Sequence, residues 1–490
     1  MPQRPNVLWI QTDEHRADSL GCYGSAWART PHLDALAARG TVFRRAYCAS
    51  PVCVPSRSSQ LAARYPQELN TLNNAVQEVA NVFPAGTLTF PEVFARAGYQ
   101  TANFGKSHTP AHPTWQFNDR AAMDKRYASP WKLNEAYDEA RHRVVHRPGG
   151  ERGVILGGTY PSADDHPSRQ STDKAIRFLD TRDAGKPFLL RVSHNWPHTP
   201  VLPPPPWDRL FAPEELPIRL FDAEALAARC AELRRSAAKQ NLRALSGAQL
   251  KQIWTDYMGL VACVDHEVGR LLAALEARGL REDTLVVFSA DHGTLLGEWG
   301  ATQKGNFDEL VWRVPFIWSC PGRIPEGQVR DDLAALLDTG RTLLGCAGLA
   351  DHAPEGWRGR DLFRDPAPEA VFGQIHYPNR AAEVLTRPGV RAEPLKPGQA
   401  MRVAVRTARH RLDADWMLDG RPLTPAEADG HLFDLEADPL ERANRWDDPA
   451  HRGTREALWA ALQRWQGEID RNPELFETRA IAECGLRNAD

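Results

Sequence analysis

No stretch of this sequence approaches the ~18 consecutive apolar residues that a membrane-spanning helix needs. The start, Met1-Pro2-Gln3-Arg4-Pro5, runs into a short apolar segment without the hydrophobic region of a secretory leader. A soluble, cytoplasmic protein with no membrane partner is the expectation. Neither sign of charge is in excess: 60 basic against 63 acidic side chains leave a net charge of −3, which gives no electrostatic handle for nucleic acid. Cysteine is sparse at eight in 490 residues, with no Cys-x2-Cys pair, so a disulfide framework is not expected and the thiols read as reduced. No internal repeat is evident.

What is present is a rhythm of short apolar runs and helical stretches. Val7-Leu8-Trp9-Ile10 is too compact for a helix and reads as a buried strand ending on Asp13. Pro31 to Ala38 reads as a helix stopped by Gly40, followed by a strand from Thr41 to Tyr47. Thr89 caps a helix to Ala97, with Gly98 ending it and a strand from Gln100 to Phe104 leading into Lys106 and His108. Helix Ser171 to Thr181 precedes strand Phe188 to Val192, and helix Leu250 to Arg278 precedes strand Thr284 to Ser289. Such alternation predicts an α/β fold with a mainly parallel sheet flanked by helices. Ligands in such sheets lie beyond the carboxyl ends of the strands, where this reading puts Asp13, Lys106, His108, His198, Asp291 and His292 together.

Two segments break the rhythm. Residues 109–166 and 203–245 read as polar insertions that can line a pocket. After Asp361, strands over Met401 to Arg406 and Arg411 to Leu418, a turn at Asp419-Gly420 and a helix from Arg455 to Ile469 predict a smaller antiparallel sheet with a helix. The expected division is residues 1–365 and residues 366–490.

Cys53-x-Pro55-Ser56-Arg57 combines a thiol, a stiffening proline, a hydroxyl and a cation able to hold an anionic ester. It is no Cys-x5-Arg phosphatase loop, since six residues after Cys53 is Ser59 and six after Cys48 is Val54. A helix over Ser58 to Arg64 would aim free N–H groups and its positive dipole end at a bound oxyanion. Asp291-His292-Gly293 follows a strand, and the glycine lets the chain turn so that carboxylate and imidazole face one ion. With Asp13 they make an oxygen-rich site for a hard divalent cation.

These motifs resemble the type I, formylglycine-dependent sulfatases of the alkaline phosphatase superfamily. Cys53-x-Pro55-Ser56-Arg57 is similar to the family's first signature, and the run from Phe288 through Asp291-His292-Gly293 and Gly297-Glu298-Trp299-Gly300 to Gln303-Lys304-Gly305 resembles the second. Leu432-Phe433-Asp434-Leu435 with Asp438-Pro439 resembles the C-terminal motif, so the likeness runs from Asn6 to about Asn444. It implies an alkaline phosphatase-like sheet and conversion of Cys53 by a maturation enzyme to Cα-formylglycine, whose hydrate is the nucleophile; an unmodified thiol would be nearly inactive. The resemblance implies one divalent metal, Ca²⁺ or Mn²⁺, on Asp13, Asp291, His292 and residue 53, with Glu14 as a further ligand. Histidine at 292, where the family commonly has asparagine, resembles the choline sulfatase and phosphonate monoester hydrolase branches and moves metal preference toward softer ions.

By the same resemblance Arg57 clamps the ester, Lys106 contacts sulfate and nucleophile, and His108 regenerates the aldehyde. His198, in Pro197-His198-Thr199-Pro200, and Lys304 serve the leaving oxygen. Asn74, beside Asn73, lies where choline sulfatases build a substrate pocket, while His15 and His194 read as structural. Leu61-Ala62-Ala63-Arg64 departs from the usual Leu-Thr-Gly-Arg in a way that could slow maturation. The expected reaction is hydrolysis of a small-molecule sulfate monoester. A phosphonate monoester or phosphodiester hydrolase would use the same parts, and an inactive binding protein keeping the fold is the reading from another class; the intact polar set argues against the last. The histidine-bearing branches often form tetramers, so a homo-oligomer fits.

Overall fold

The computed structural model describes residues 4–69, 71, 74, 83–84, 86–110, 115–119, 128–129, 132–133, 141–148, 155–216, 218, 223–375, 400–418 and 421–470. Asn73, the turn at Asp419-Gly420 and parts of both insertions lie outside them.

Nine strands form the large sheet: Asn6–Thr12 (β1), Thr41–Tyr47 (β2), Gln100–Gly105 (β3), Phe117–Asp119 (β4), Phe188–Ser193 (β5), Thr284–Ala290 (β6), Arg313–Val314 (β7), Phe316–Ser319 (β8) and Gln328–Ala335 (β9). β1 lies centrally, parallel to β6 on one side and β5 on the other; β3 and β4 extend the sheet beyond β5 in the same direction. On the far side β8 runs antiparallel between β6 and β2, so β2 and its neighbour β9 point the same way as β1. The carboxyl ends of β1, β2, β3, β5 and β6 therefore share one edge.

Alternation within β1 sorts its side chains between two cores. Leu8 and Ile10 pack with helices Pro31–Ala38 (α1), Pro167–Thr181 (α4) and Gly247–Ala277 (α6). Val7 and Trp9 face Cys53–Ala62 (α2), Phe90–Arg96 (α3) and Thr339–Cys346 (α7). Both faces of the sheet are covered, which is why β1, β5 and β6 are almost wholly buried and rich in β-branched and aromatic residues. Each fully buried Val, Leu or Ile side chain contributes roughly 1.5–3 kcal/mol. Local signals agree: Glu92 accepts the Thr89 N–H at 2.9 Å to seal the start of α3, and Gly98 takes φ +92 past its end.

The insertion carries a helix, Ala231–Gln240 (α5), among its described residues. A second, antiparallel sheet follows, from Ala370–Ile375 (β10), Met401–Thr407 (β11), His410–Leu418 (β12), Arg421–Pro422 (β13) and Gly430–Asp434 (β14), with helix Arg452–Asp470 (α8) packing Trp459, Leu462 and Trp465 on Val403 and Leu412. The mainly parallel sheet between helices and the separate antiparallel sheet with a helix are the architecture expected from the sequence.

One expectation needs correction. α2 spans Cys53 to Ala62, beginning five residues earlier and ending two earlier than the Ser58 to Arg64 stretch. Pro55 does not delay the start, because it occupies the third helical position, where its missing N–H would have had no partner inside the helix. Ser56 closes the first turn onto the Val52 carbonyl at 2.9 Å, and Ala63 ends the helix in the left-handed region.

Candidate functional site

Five strand ends and one hairpin deliver the site. Asp13 and Glu14 follow β1, residue 53 opens α2 just beyond β2, Lys106 and His108 follow β3, and His198 lies beyond β5. Asp291 and His292 follow β6, and Lys304 comes from the hairpin that pairs Leu295–Leu296 with Thr302–Gln303. Glu14 and His108 both hold left-handed backbone, at φ 57 and 45, which turns the chain back so that neighbours such as Asp13 and Glu14 serve one cavity.

Arg57 is the buried centre of the constellation. Its Nη2 meets Asp13 Oδ2 at 2.8 Å and its Nε meets Asp291 Oδ2 at 2.7 Å, all three side chains having no exposed surface. Ser193 Oγ and Gln11 Oε1 receive its Nη1 at 2.9 and 3.3 Å. Buried guanidinium and carboxylates thus satisfy one another, which removes the several kcal/mol that an unpaired buried charge would cost. The outer oxygens of the two aspartates turn toward residue 53: Asp291 Oδ1 accepts the Glu14 and His292 N–H groups, and Asp13 Oδ1 lies 3.8 Å from Cys53 Sγ.

Cys53 Sγ stands where the reactive oxygens of a modified residue 53 would stand. Lys304 Nζ approaches it at 2.8 Å and His292 Nε2 at 3.3 Å, with His108 in hydrogen-bond reach. Lys304 also bonds Glu14 Oε1 at 2.8 Å and His198 Nε2 at 2.9 Å, and Lys106 Nζ meets Asp13 Oδ2 at 2.6 Å. Two of these histidines have their other ring nitrogen on a backbone carbonyl, His292 on Gly293 and His198 on Thr199. Nε2 of each then faces the cluster, a position from which His292 can ligate an ion once its Nε2 proton is displaced.

The charges are interdependent. Burial would push Asp13 up, but Lys106, His198 and Arg57 outweigh it and hold the carboxyl well below its usual range. Glu14 follows the same logic, lowered against burial by His198 and Lys304. Asp291 goes the other way, raised by burial to about 6 despite Arg57. Burial and Asp13 oppose a thiolate at Cys53, yet Lys304, Lys106 and His292 bring the thiol well below its ordinary value. His292, which burial alone would lower, rises to about 9 beside Asp291 and Cys53, whereas burial keeps His108 low and neutral. The centre is a buried cluster of cations that favours negative charge at residue 53, with acids of its own among them.

A metal ion fits these residues. Donor atoms of Asp13, Cys53, Asp291 and His292 lie within 4.8 Å of one another, and Asp13, Glu14 and His198 form a second such group. Hard carboxylate oxygens with an inward imidazole nitrogen are a donor set for a divalent cation.

All of the sequence-selected residues converge here, Asn74 included, though at the rim. Its side chain is exposed, accepts the Val54 N–H at 3.1 Å and places its amide nitrogen 3.9 Å from Cys53 Sγ. His15 and His194 are fully buried with neither ring nitrogen bonded among the described residues, and burial drives them to about 3 and 4. Sequence reasoning misses the residues that shape Glu14. Thr199 donates to its Oε2 from both N–H and hydroxyl at 3.1 Å, Thr294 adds a bond at 3.3 Å, and Tyr257 holds its carbonyl at 2.8 Å. Adjacency to His198 and Gly293 is a local pointer to the two threonines; for Tyr257, 243 positions away, there is none.

Comparison with known proteins finds likeness along most of the chain. The sulfatase family's sequence model matches residues 5–349. An N-acetylglucosamine-6-O-sulfatase of Bacteroides thetaiotaomicron is 25% identical, covering 97% of this chain and 89% of that protein. Human iduronate 2-sulfatase is 28% identical over 90% of this chain and 91% of its own. A phosphonate monoester hydrolase from Silicibacter pomeroyi has the same fold, with a TM-score of 0.73 over 95% of this chain and 96% of that one at 23% identity. These likenesses do not single out one branch. Among the described residues no helix is long and apolar enough to cross a membrane.

Proposed function

The chain belongs to the sulfatase family, and from that premise we infer that it hydrolyses sulfate monoesters through a formylglycine made from Cys53, beside one divalent ion held by Asp13, Asp291 and His292 with Glu14. The observation that carries the reading is residue 53 itself: a buried side chain at the first turn of α2, met by Lys304 at 2.8 Å and His292 at 3.3 Å. A helix start, two lysines and an arginine around one small group suit an anionic ester and a nucleophile.

When bound, the metal supplies Lewis acidity at the ester and nucleophile, and the formylglycine hydrate supplies the attacking hydroxyl. The chain's own residues do the rest. Arg57 holds the two aspartates in place through Nε and Nη2 and contributes positive charge where the ester's charge develops. Lys106 and Lys304 bracket the sulfuryl oxygens. His198 Nε2 and Lys304 Nζ, 2.9 Å apart, share the proton passed to the departing alcohol. His108, kept neutral by burial, is the base that recovers a proton at residue 53.

His292 supports Mn²⁺ over Ca²⁺, since an imidazole is a softer ligand than an amide oxygen. The seven described cysteines are free, which suits a reducing compartment such as the cytoplasm. The second antiparallel sheet supports a division near residue 365. A phosphonate monoester is the second substrate reading, favoured by the same histidine and by the single negative charge it shares with a sulfate monoester.

Two experiments test the proposal. Mass spectrometry of the peptide bearing Cys53 should show loss of about 18 Da on conversion of thiol to aldehyde. Rates on matched aryl sulfate, phenylphosphonate ester, phosphodiester and phosphate monoester should favour sulfate and disfavour the dianionic phosphate monoester. A preference for phosphonate or phosphodiester of tenfold, about 1.4 kcal/mol at the transition state, would move the assignment.

A further inference from the structure

The hairpin that delivers Lys304 is not self-supporting. Its tip carries three left-handed residues in four, Gly297 at φ 116, Trp299 at 56 and Gly300 at 69, and its ladder is two residues long on each side. Glycine takes such backbone freely, but Trp299 holds it only where neighbours over-determine it. Asp308 and Arg229 hold Trp299, through its Nε1 at 2.7 Å and over its ring at 3.8 Å, and the insertion helix α5 packs Leu233 and Ala237 on Leu295, Trp299 and Ala301.

At the last turn of α5 the packing becomes directional. Gln240, 8% exposed, accepts both the N–H of Thr302 at 3.0 Å and its hydroxyl at 2.7 Å on Oε1, and donates from Nε2 to the Thr302 carbonyl at 3.3 Å. One amide side chain therefore satisfies every polar group of one residue. Two positions on, Lys304 makes its three contacts with Glu14, His198 and residue 53. One position further, the Gly305 N–H is tied to the Pro51 carbonyl at 3.1 Å, on the loop that enters α2. Lys304 is strung between two backbone anchors, one supplied by the loop that enters α2 and one by the insertion.

We infer that Gln240 is a positioning residue for the reaction: through Thr302 it sets the register of Lys304, so that the insertion helix governs how well the leaving oxygen is assisted. The inference rests on the reading above that Lys304 serves the departing alcohol. Its signature is dependence on the leaving group. An aryl sulfate leaves as a weakly basic phenolate and needs little help, whereas an alkyl sulfate needs its oxygen protonated or paired as the bond breaks.

Gln240→Met keeps the side chain's length and removes all three bonds to Thr302, together with the one from Nε2 to Ser236 Oγ within α5. It is expected to lower kcat/KM about tenfold on an alkyl sulfate and no more than about twofold on a nitrophenyl sulfate, chiefly through kcat, because a displaced group loses effective molarity. Gln240→Glu, which keeps the acceptor oxygen for Thr302, should recover most of the loss. Hydrogen exchange should accelerate at the Thr302 amide in Gln240→Met, a readout independent of turnover. Lys304→Ala should show the same leaving-group pattern, larger. An equal loss on both esters in Gln240→Met, or no loss while Lys304→Ala discriminates, would overturn the inference and leave the role of Lys304 standing. A Lys304→Ala variant that does not discriminate would overturn the premise and the inference together. Should Gln240→Met fail to fold, Thr302→Val, which removes only the hydroxyl bond, carries the same expectation at smaller size, and a uniform loss there is equally decisive against it.

Discussion

Tyr257 and Glu14 are joined through the backbone: the phenol hydroxyl donates to the Glu14 carbonyl at 2.8 Å and accepts the Arg16 N–H at 2.9 Å. The pair of bonds fixes Glu14 at φ 57, a conformation that costs a residue with a side chain of order 1–3 kcal/mol unless its surroundings impose it. Tyr257→Phe retains the ring in the α6 core and strands two buried backbone groups, for an expected loss of about 1–3 kcal/mol. Thermal melts with and without added divalent metal should show lower stability and a smaller metal-induced increase. Parent-like values for both would remove Tyr257 from any part in shaping the site.

Cys53→Ala should leave the fold intact, with a stability change under about 1 kcal/mol, because the side chain is a small group beside an anion site and fills little core. Its sulfatase and phosphonate hydrolase rates should both fall by about a thousandfold or more. Cys53→Ser should be inactive or very slow, since a serine ester would have to await attack by water. Turnover by the alanine variant above a trace would end the formylglycine reading.

The sheet was legible because its strands carry short, near-continuous apolar runs, and Val7 to Ile10 already contains the two alternating faces that meet α6 and α3. Asp13, Lys106, His198 and Asp291 were legible for a related reason: each follows such a run, and parallel strands bring their ends to one edge. The start of α2 was not, since Pro55 reads as a breaker unless its place within the first turn is known. Long-range pairings leave no local trace at all. Lys304 meets Glu14 across 290 positions and Gln240 meets Thr302 across 62, and no periodicity in the chain encodes either contact.

Metal removal should be visible in stability as well as in rate. An ion bound only by the folded protein stabilises it by mass action, about 2.7 kcal/mol at a hundred times its dissociation constant. Chelation should therefore lower the Tm and abolish turnover, and Asp291→Asn should blunt both responses. Full activity in a metal-free preparation would contradict the assignment of Asp13, Asp291 and His292, while two tightly bound ions per chain would favour two-metal phosphatase chemistry instead.

His166 gives a pH test separate from the site's own chemistry. It is buried against Trp196 and Tyr160, neither ring nitrogen has a partner among the described residues, and burial, aided by His194, lowers it from 6.5 to about 3. The unfolded chain therefore takes up this proton first as pH falls. The stability that a neutral His166 permits is complete above its unfolded value and drains away between 6.5 and about 3. His166→Phe cannot take up that proton. Relative to the parent, the variant should gain about 1.4 kcal/mol for each pH unit below the crossover, read from urea melts at about pH 7, 6 and 5. A difference that stays constant over that range would mean that His166 takes up its proton in the folded protein as readily as in the unfolded chain, and the burial argument would fail.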